Sequence, residues 1–286
     1  MKYAFIHENA ALFTLTIMCR VLGVSRSGYA GWLTRKPSPQ AQERQAMDNK
    51  IRAAFERKRG REGSPRLTRA LRKDGIAISE NTVAERMKSM GLRAKAKKKF
   101  KATTNSKHNF PVSPNLLKRQ FSVARPNQVW VTDITYLWTS VGWLYLAVIL
   151  DLHSRRVVGW SMNERMTSTL VCDALRMAWF RRRRPEGVIV HSDRGSQYCG
   201  KDFQRLLKRY KMTSSMSRKG DCWDNAVAES FFHSIKVEAI HGENFETRES
   251  MREEVFEYIE VYYNRERLHS TRGYMSPAQF EQRKAA

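Results

Sequence analysis

The sequence predicts an α/β protein with a mixed five-stranded sheet flanked by helices, preceded by small all-α, helix-turn-helix-like segments. Three observations support this class. Short β-branched, apolar runs begin near residue 121, apolar residues recur at helical spacing before residue 92, and a basic stretch containing proline separates the two regions. The predicted parts are 1–40 (helical), 41–92 (helix-turn-helix-like, DNA-binding), 93–120 (basic linker) and 121–286 (α/β core with a C-terminal helical extension).

The composition favours a polyanionic partner, most simply nucleic acid. Lys and Arg number 52 against 28 Asp and Glu, a net charge of +24 over 286 residues, whereas mixed-sign surfaces of small domains usually carry a charge of magnitude about 2–8. No apolar run approaches the ~20 residues of a membrane span, and we identify no signal peptide. The four cysteines are scattered without zinc-finger spacing. We therefore expect a cytoplasmic, nucleoid-associated protein without a membrane partner.

The first helical part has the pattern of two helices joined by a turn. Gly23 follows an apolar helical run as a C-cap, and Ser25 can N-cap a second helix. Gly28 and Gly31 weaken that second helix. A helix-turn-helix and a plain helical hairpin explain this pattern about equally well.

The second helical part, residues 64–92, favours a DNA-contacting helix-turn-helix. Ser64 is the expected cap of a helix that ends near Asp74-Gly75, and Ser79 the cap of a second helix that runs to Gly91. Apolar side chains at helical spacing should form a small core, and basic ones an outer face. The expected core residues are Leu67, Leu71, Val83 and Met87, and the expected outer residues are Arg66, Arg69, Arg72, Lys73, Arg86 and Lys88.

The segment 93–107 contains seven basic residues and no acidic one. Such a run is a solvated linker by default and follows phosphates when DNA is present, and these two interpretations are compatible. The expected DNA contacts are Lys95, Lys97, Lys98, Lys99 and Lys101.

From residue 121 the predicted order of elements is βββαβαβα. Three apolar runs at 128–139, 142–154 and 155–162 have short joints and predict an antiparallel meander. A helix, a strand at 187–193, a helix at 201–210, a short strand and a long helix to Ile240 follow, which is the element order of the ribonuclease H fold. A last amphipathic helix at 253–269 should bury one stripe, Phe256, Ile259 and Tyr263.

Three carboxylates are the candidate catalytic residues. Asp133 lies in the first strand, Asp193 ends the fourth, and Glu229 lies on the long helix. If the two strands are neighbours, the acids can converge, and clustered oxygen ligands suit Mg²⁺ or Mn²⁺. Two ions about 3.5–4 Å apart activate an attacking oxygen and stabilise the leaving one. An aspartate at a strand end is also often a helix cap or turn former, and Asp151 is a candidate for that role.

Further residues near the acids have candidate roles. A Ser-His-Asp triad within His191-Ser192-Asp193 fails, because Ser192 points to the opposite face of the strand. Arg194 offers a fork for phosphate, which a glycine at 195 allows to come close. Lys236 follows Glu229 by two helical turns and shares its face, so it is a candidate DNA contact or a solvated lysine.

The motifs WVTDITYL, HSDRGSQY, SMSRKGDCWDNAVAESFFHSIK and YYNRERLHSTRGYMSP, with GWLYLAVILDLHSRRVVGW, resemble the DDE transposases of bacterial insertion sequences, which have an integrase catalytic core related to that of retroviral integrases. More narrowly, the sequence is similar to the second reading-frame product of the family whose transposase arises by frameshifting. The resemblance covers residues 121–281 and, less specifically, the helices before them. One departure is Glu62-Gly63-Ser64-Pro65, where the family often has Tyr-Gly with further basic residues.

The resemblance implies a role for each matching residue. Asp133, Asp193 and Glu229 match the metal-binding triad, and Lys236 matches a basic residue that approaches the terminal DNA. It implies Mg²⁺-dependent nicking at the 3′ ends of the element, followed by strand transfer. It also implies assembly as a homo-oligomer on DNA, at element ends and target, and a first-frame transposase product as partner.

Two other functions compete with transposition. A ribonuclease H-like nuclease would cut without joining, and a strand-transfer assay separates it from a transposase. A non-catalytic DNA-binding regulator would lack metal-dependent nicking, and the three acids argue against it.

Overall fold

The computed structural model describes residues 1–95, 111–218 and 225–285. The first range is entirely helical, and the strands lie in the second, as the sequence predicts. No helix within these three ranges is both long and apolar enough to cross a membrane. The helices of the first range are α1 (Lys2–Glu8), α2 (Leu15–Leu22), α3 (Arg26–Thr34), α4 (Pro39–Arg57), α5 (Ser64–Lys73) and α6 (Glu80–Ser89).

Helices α2 and α3 are joined as their capping residues predict. Gly23 ends α2 with φ of +62°, and the Ser25 hydroxyl accepts a hydrogen bond from the Gly28 amide at 3.0 Å. The helix α1, which sequence patterns did not indicate, contributes Ile6 to a small core with Met18 and other side chains of α2 and α3. A three-helix unit therefore forms the start of the chain.

Helices α4, α5 and α6 form a second core. The four predicted core residues are buried there, and Ile51 of α4 is buried with them. Ser79 caps α6 by accepting from the Thr82 amide at 3.1 Å. The prediction that Ser64 caps α5 is wrong. The cap is Gly63, and Ser64 is the first helical residue, whose carbonyl accepts from the Thr68 hydroxyl at 2.7 Å.

The core of the molecule is a mixed sheet in the order β3-β2-β1-β4-β5. Strand β1 pairs antiparallel with β2 and parallel with β4, β2 pairs antiparallel with β3, and β4 pairs parallel with β5. This confirms the predicted five-stranded sheet. The strands are β1 (Val129–Thr139), β2 (Gly142–Asp151), β3 (Val157–Asn163), β4 (Ile189–Ser192) and β5 (Thr213–Met216).

Helices cover both faces of the sheet because successive strand residues alternate between two apolar sides. Trp130 packs under α7, α8 and α9, whereas Val131 packs with Phe231 and Tyr258 on the other face. The remaining helices are α7 (Ser168–Arg181), α8 (Ser196–Cys199), α9 (Lys201–Arg209), α10 (Ala226–Ile235), α11 (Arg248–Phe256) and α12 (Pro277–Ala285), with π-helical turns at Lys236–Ile240 and Glu257–Tyr263.

The predicted C-terminal helix has a different buried stripe from the one expected. Ile259 and Tyr263 are buried, but Phe256 is 52% exposed. The reason is the change from α-helix to π-helix at Glu257, since a wider turn breaks the spacing of 3.6 residues on which the predicted stripe depended. Val255 and Tyr258 occupy the buried positions instead.

The helices before the sheet contact the C-terminal helices through paired charges. One guanidinium nitrogen of Arg61 donates to Glu254 at 2.8 Å and to Glu257 at 2.9 Å. Arg66 contacts Glu238 at 3.3 Å, and Arg267 donates to the same carboxylate. We call this contact the helical interface, comprising Lys58, Arg61, Glu62, Arg66, Glu238, Glu254, Glu257, Tyr258, Tyr262 and Arg267.

Several basic residues of α5 and α6 that were expected to face outward contact other parts of the chain. Arg66 faces Glu238, and the guanidinium of Arg69 lies 4.1 Å from the ring centre of Tyr274. Arg86 pairs with Asp48 of α4. Much of the expected outward face is thus used within the chain, because acidic and aromatic partners lie opposite it.

Candidate active site

Two aspartates lie side by side at the end of the β1–β4 pairing. Val131 is paired with His191 in parallel register, and the same offset separates Asp133 from Asp193. This pairing explains why the buried strand β4 is followed by a carboxylate. It places the side chain of Asp193 next to that of Asp133 on β1. Burial raises the pKa of Asp133 well above its ordinary value, and the charge of Asp193 raises it further.

The turn after β4 fixes the direction of the Asp193 side chain. The Gly195 amide donates to the Asp193 carboxylate at 2.9 Å, and a Cβ on Gly195 would lie 3.0 Å from the same oxygen. A larger residue would therefore crowd the carboxylate. Arg194 donates through Nε to the Ser217 carbonyl at 2.8 Å, which ties this turn to the end of β5.

Glu229 lies on α10, across from the aspartates and exposed to solvent. Desolvation by its neighbours raises its own pKa, and its charge also contributes to the raised pKa of Asp133. Within the ranges that the structure describes, no three His, Cys, Asp or Glu side chains lie close enough together to hold one ion. The donor set nevertheless fits a hard divalent cation, because carboxylate oxygens that repel one another are the groups such an ion stabilises.

Lys236 lies where α10 changes into the π-helical turn. Its Nζ is 4.8 Å from the ring centre of Tyr136 on β1. Burial lowers the pKa of Lys236, and the negative charge of Asp133 partly offsets that effect. The lysine is therefore half-buried near the aspartates, which a fully solvated surface lysine would not be.

A buried tyrosine that sequence reasoning missed lies beneath the two aspartates. Tyr198 of α8 is 1% exposed, and its hydroxyl is 3.2 Å from the Thr132 hydroxyl. Burial raises its pKa well above the ordinary value, and the charges of Asp133 and Asp193 add to the effect. The only sequence signal was its place in the motif HSDRGSQY, five residues after Asp193.

The remaining polar residues of this region have structural contacts. His191 Nδ1 lies 2.9 Å from the Ser215 hydroxyl, and the Ser192 hydroxyl donates to the Asp193 carbonyl at 2.8 Å. This agrees with the rejection of a hydrolase triad. Asp151 is buried and accepts from the backbone amides of Asn127 and His153, as expected of a turn former.

The basic arm is described only at its start. Lys95 Nζ lies 2.8 Å from the Glu243 carboxylate. This contact holds Lys95 against the C-terminal half of the chain. Lys97, Lys98, Lys99 and Lys101 lie outside the described residues.

Known protein families match most of the residues of the chain. The integrase core domain family matches residues 123–222, and a second integrase core domain family matches residues 229–284. The HTH-like domain family matches residues 41–100. The matches thus cover both the region of the sheet and the helices α4, α5 and α6.

Two curated relatives extend along nearly the whole chain. Transposase InsF for insertion sequence IS3A, from Escherichia coli strain K12, is 54% identical over 288 aligned positions that cover 100% of both chains. The insertion element IS600 uncharacterized 31 kDa protein, from Shigella sonnei, is 46% identical over 266 residues, 93% of this chain and 98% of that protein.

Solved structures align less closely. A chain of the simian T-cell lymphotropic virus intasome in complex with PP2A regulatory subunit B56 gamma aligns with 77% of this chain and 70% of its own length, with 16% identity and a TM-score of 0.45. The trimeric form of the HTLV-2 integrase catalytic core domain in complex with magnesium covers 55% of this chain and 97% of that chain, with 17% identity and a TM-score of 0.42.

The integrase core matches, on a sheet of the predicted topology, define a DDE-type phosphoryl transferase. The full-length relatives narrow the class further. The chain belongs to the family of insertion-sequence transposases that includes the InsF proteins of IS3. The resemblance recognised in the sequence motifs is thereby confirmed.

Proposed function

We propose that this transposase cleaves and joins DNA with Asp133, Asp193 and Glu229 as the ligands of Mg²⁺ or Mn²⁺, two ions in the complete site. One observation carries the proposal: two aspartates share a register at the end of a parallel strand pair, and burial with mutual repulsion raises the pKa of Asp133. The bound cations would supply Lewis-acid stabilisation of the attacking and leaving oxygens.

The reaction has two phosphoryl transfers. In the first, water attacks a phosphodiester at the 3′ end of the element, the P–O3′ bond breaks, and a 3′-hydroxyl is released. In the second, that hydroxyl attacks a phosphodiester of another strand, a new P–O bond forms, and the second strand's own 3′-hydroxyl leaves. In this scheme Asp133 and Asp193 orient the reacting phosphate, and Lys236 holds the DNA that leads to it.

DNA affinity in this proposal comes mainly from outside the catalytic residues. The HTH-like part at 41–92 contacts the element end, and the linker at 93–120 follows phosphates through Lys95, Lys97, Lys98, Lys99 and Lys101. The net charge of +24 supports such a role. Arg194 adds a phosphate contact beside the active site. The part at 1–40 forms a separate helical unit, and 121–286 forms the catalytic core.

Assembly and partners belong to the same proposal. The enzyme works as a homo-oligomer on element ends and target DNA, in the nucleoid of the cytoplasm, together with a first-frame transposase product. Support for the last point comes from the frameshifting family that the motifs resemble.

The decisive experiment incubates the full chain with labelled element ends and Mg²⁺, with and without the first-frame product. Nicking followed by joined products of higher mass supports the proposal. Nicking without joining in either condition would favour the plain nuclease. Binding without any nicking in Mg²⁺ or Mn²⁺ would favour the non-catalytic regulator.

A further inference from the structure

Three aromatic side chains are exposed together on the β1–β2 hairpin. Tyr136 is 40% exposed, Trp138 58% and Trp143 43%. We call these three residues the hairpin aromatic surface. Single exposed apolar residues are ordinary, but contiguous ones mark binding sites more often than chance.

Strand pairing places these rings on one face of the sheet. Trp138 lies directly opposite Trp143, and Tyr136 lies two residues before Trp138 on the same strand. The ring centre of Trp143 lies 4.7 Å from the ring centre of Trp138 and 5.0 Å from that of Tyr136, and both pairs have edge-to-face geometry. The alternate residues Leu137 and Thr139 are buried, so the backbone that carries the rings is fixed by the core. The surface is therefore pre-organised.

Toward the start of β1, helices cover the face of the strand that carries these rings. Trp130, at the start of β1, is completely buried under the helices on that side. The rings at the hairpin end lie past that cover, with Val141 of the turn 54% exposed beside them. The sequence thus keeps large aromatic residues on a part of the strand where they add little to the core.

The hairpin aromatic surface adjoins the candidate active site. Tyr136 follows Asp133 by three residues, about 10 Å along the strand. Asp133 lies on the face of β1 opposite the rings, with Val131, and Lys236 is close to both: its Nζ lies 4.8 Å from the Tyr136 ring centre, and the charge of Asp133 acts on it. Aromatic rings beside a basic group form the combination that binds single-stranded nucleic acid.

We infer that the hairpin aromatic surface is a binding site for unpaired DNA bases, which stack on Trp138 and Trp143 when the strand next to the reacting phosphate leaves the duplex. This inference rests on the proposed function, since it places the strand in that active site. Lys236 contacts the backbone between the stacked bases and the aspartates. Stacking of this kind tolerates any sequence because every base has a π face.

The test compares two probes of equal length and charge in EDTA, so that no cleavage occurs. Fluorescence anisotropy measures the affinity of the full chain for an oligothymidylate and for an abasic oligonucleotide with the same backbone. We expect the thymidine strand to bind at least about fivefold more tightly. Trp138→Ala and Trp143→Ala should each reduce that ratio markedly and leave the affinity for the abasic strand unchanged.

Two further variants serve as controls. Phe256→Ala removes an exposed aromatic ring at the end of α11, far from the hairpin in sequence, and it should retain the full ratio of the two affinities. Trp138→Phe keeps a stacking ring and should recover most of it. Circular dichroism melting identifies any variant that fails to fold. If Trp138→Ala does not fold, the ratio of affinities is compared between Trp143→Ala and Trp138→Phe.

Two results would overturn the inference. One is an unchanged ratio of affinities in both tryptophan variants. The other is light scattering that shows Trp138→Ala to form a smaller oligomer than the wild type, because the rings would then be an interface between copies of the chain. Failure of the proposed function would look different: the base-dependent ratio would persist, while nicking in Mg²⁺ would be absent.

Discussion

Buried carboxylates occur at both the active site and the helical interface, but their neighbours differ. Asp133 faces Asp193, and burial together with that like charge raises its pKa. Glu238 faces Arg267, which donates to it through Nε at 2.8 Å and through Nη2 at 2.7 Å. Burial opposes ionisation of Glu238, but the hydrogen bonds from Arg267 outweigh it and lower the pKa.

Further contacts at the helical interface also come from within the chain. Tyr258 also donates to Glu238, at 2.8 Å, and Arg61 lies over the ring of Tyr262 with 4.8 Å to its centre. Even Glu62, whose pKa burial raises, accepts from the Tyr262 hydroxyl at 3.2 Å. The departure from the family pattern at Glu62 is thus part of the contact between the two halves of the chain.

The difference separates a structural use of buried charge from the catalytic use that we propose for Asp133 and Asp193. At the helical interface Glu238, Glu254 and Glu257 are paired with arginines from within the chain. At the candidate active site Asp133 faces the like charge of Asp193, and burial with that repulsion makes its ionised form costly unless a cation enters. Such unfavourable electrostatics are typical of sites built for binding and catalysis.

The largest expected effect is at the active site. Asp133→Asn, Asp193→Asn and Glu229→Gln should each abolish nicking and joining together, because loss of one ligand removes several kcal/mol of transition-state stabilisation, about a thousandfold in rate. Binding to labelled element ends should stay within about twofold, since most phosphate contacts lie elsewhere. Rates and binding constants are measured on the same DNA.

Asp173→Asn is the matched control for the triad variants. Asp173 is exposed on α7 and pairs only with Arg176 in the described contacts, so its loss should leave both reactions unchanged. Near-normal strand transfer by any triad variant would show that the ligand assignment is mistaken.

At the helical interface, Arg267→Met should lower the free energy of unfolding by about 3–5 kcal/mol, because Glu238 is left buried with weaker partners. The double variant Glu238→Gln/Arg267→Met should recover part of this loss. Urea titrations measure both variants against the wild type. Arg57→Met, in an exposed pair with Asp74, is the control and should cost less than about 1 kcal/mol. An equal loss of unfolding free energy for Arg267→Met and Arg57→Met would show that the buried pair contributes no more to stability than an exposed one.

Lys236 is a half-buried cation near Asp133, and its replacement sharpens the comparison. Lys236→Ala should slow nicking about tenfold or more, the value of one charged contact, with little change in overall binding. Lys236→Arg should keep part of the activity, because the charge persists while its geometry differs. Paired binding constants and nicking rates on one labelled end provide the test, and a wild-type rate for the alanine variant would make Lys236 a mere surface residue.

The smallest expected effect is on stability without metal. A raised folded-state pKa of Asp133 gives stability that is present below the unfolded pKa and lost as pH rises through the folded pKa. In EDTA near pH 8, Asp133→Asn should therefore melt a few degrees above the wild type, and the difference should shrink as the pH is lowered toward 4. Thermal scans across that range measure it.

Mg²⁺ should reverse the order in the same scans. Binding to the folded wild type raises its Tm by mass action, whereas the asparagine variant gains little. A wild-type Tm that is independent of Mg²⁺ and always above that of the variant would contradict the comparison.

The sequence predicts the catalytic sheet well because its signals are local. Alternating and continuous apolar runs define the first four strands, and equal offsets between β1 and β4 bring Asp133 to Asp193. The exposed face shared by Trp138 and Trp143 also follows from the hairpin register, once that register is known. Periodicity of two and short joints are enough for these features.

The helical interface could not be predicted in this way. Arg61 meets Glu254 and Glu257 across nearly two hundred residues of sequence, and nothing in either segment alone indicates the other. Basic residues of α5 therefore seemed free for DNA. Phe256 was misplaced for a related reason, since a helical period of 3.6 does not hold through a π-helical turn.

The two π-helical turns give the helical interface a property that a regular helix would lack. Lys236–Ile240 carries Glu238, and Glu257–Tyr263 carries Tyr258 and Tyr262, so the C-terminal side of the contact is built on two widened turns. A π turn accommodates one more residue than the α turn it replaces. Glu238, Tyr258 and Tyr262 therefore meet the helices before the sheet from turns whose hydrogen-bonding period differs from that of the α-helices preceding them. The positions of these three side chains are thus set locally, apart from the regular turns of α10 that carry Glu229.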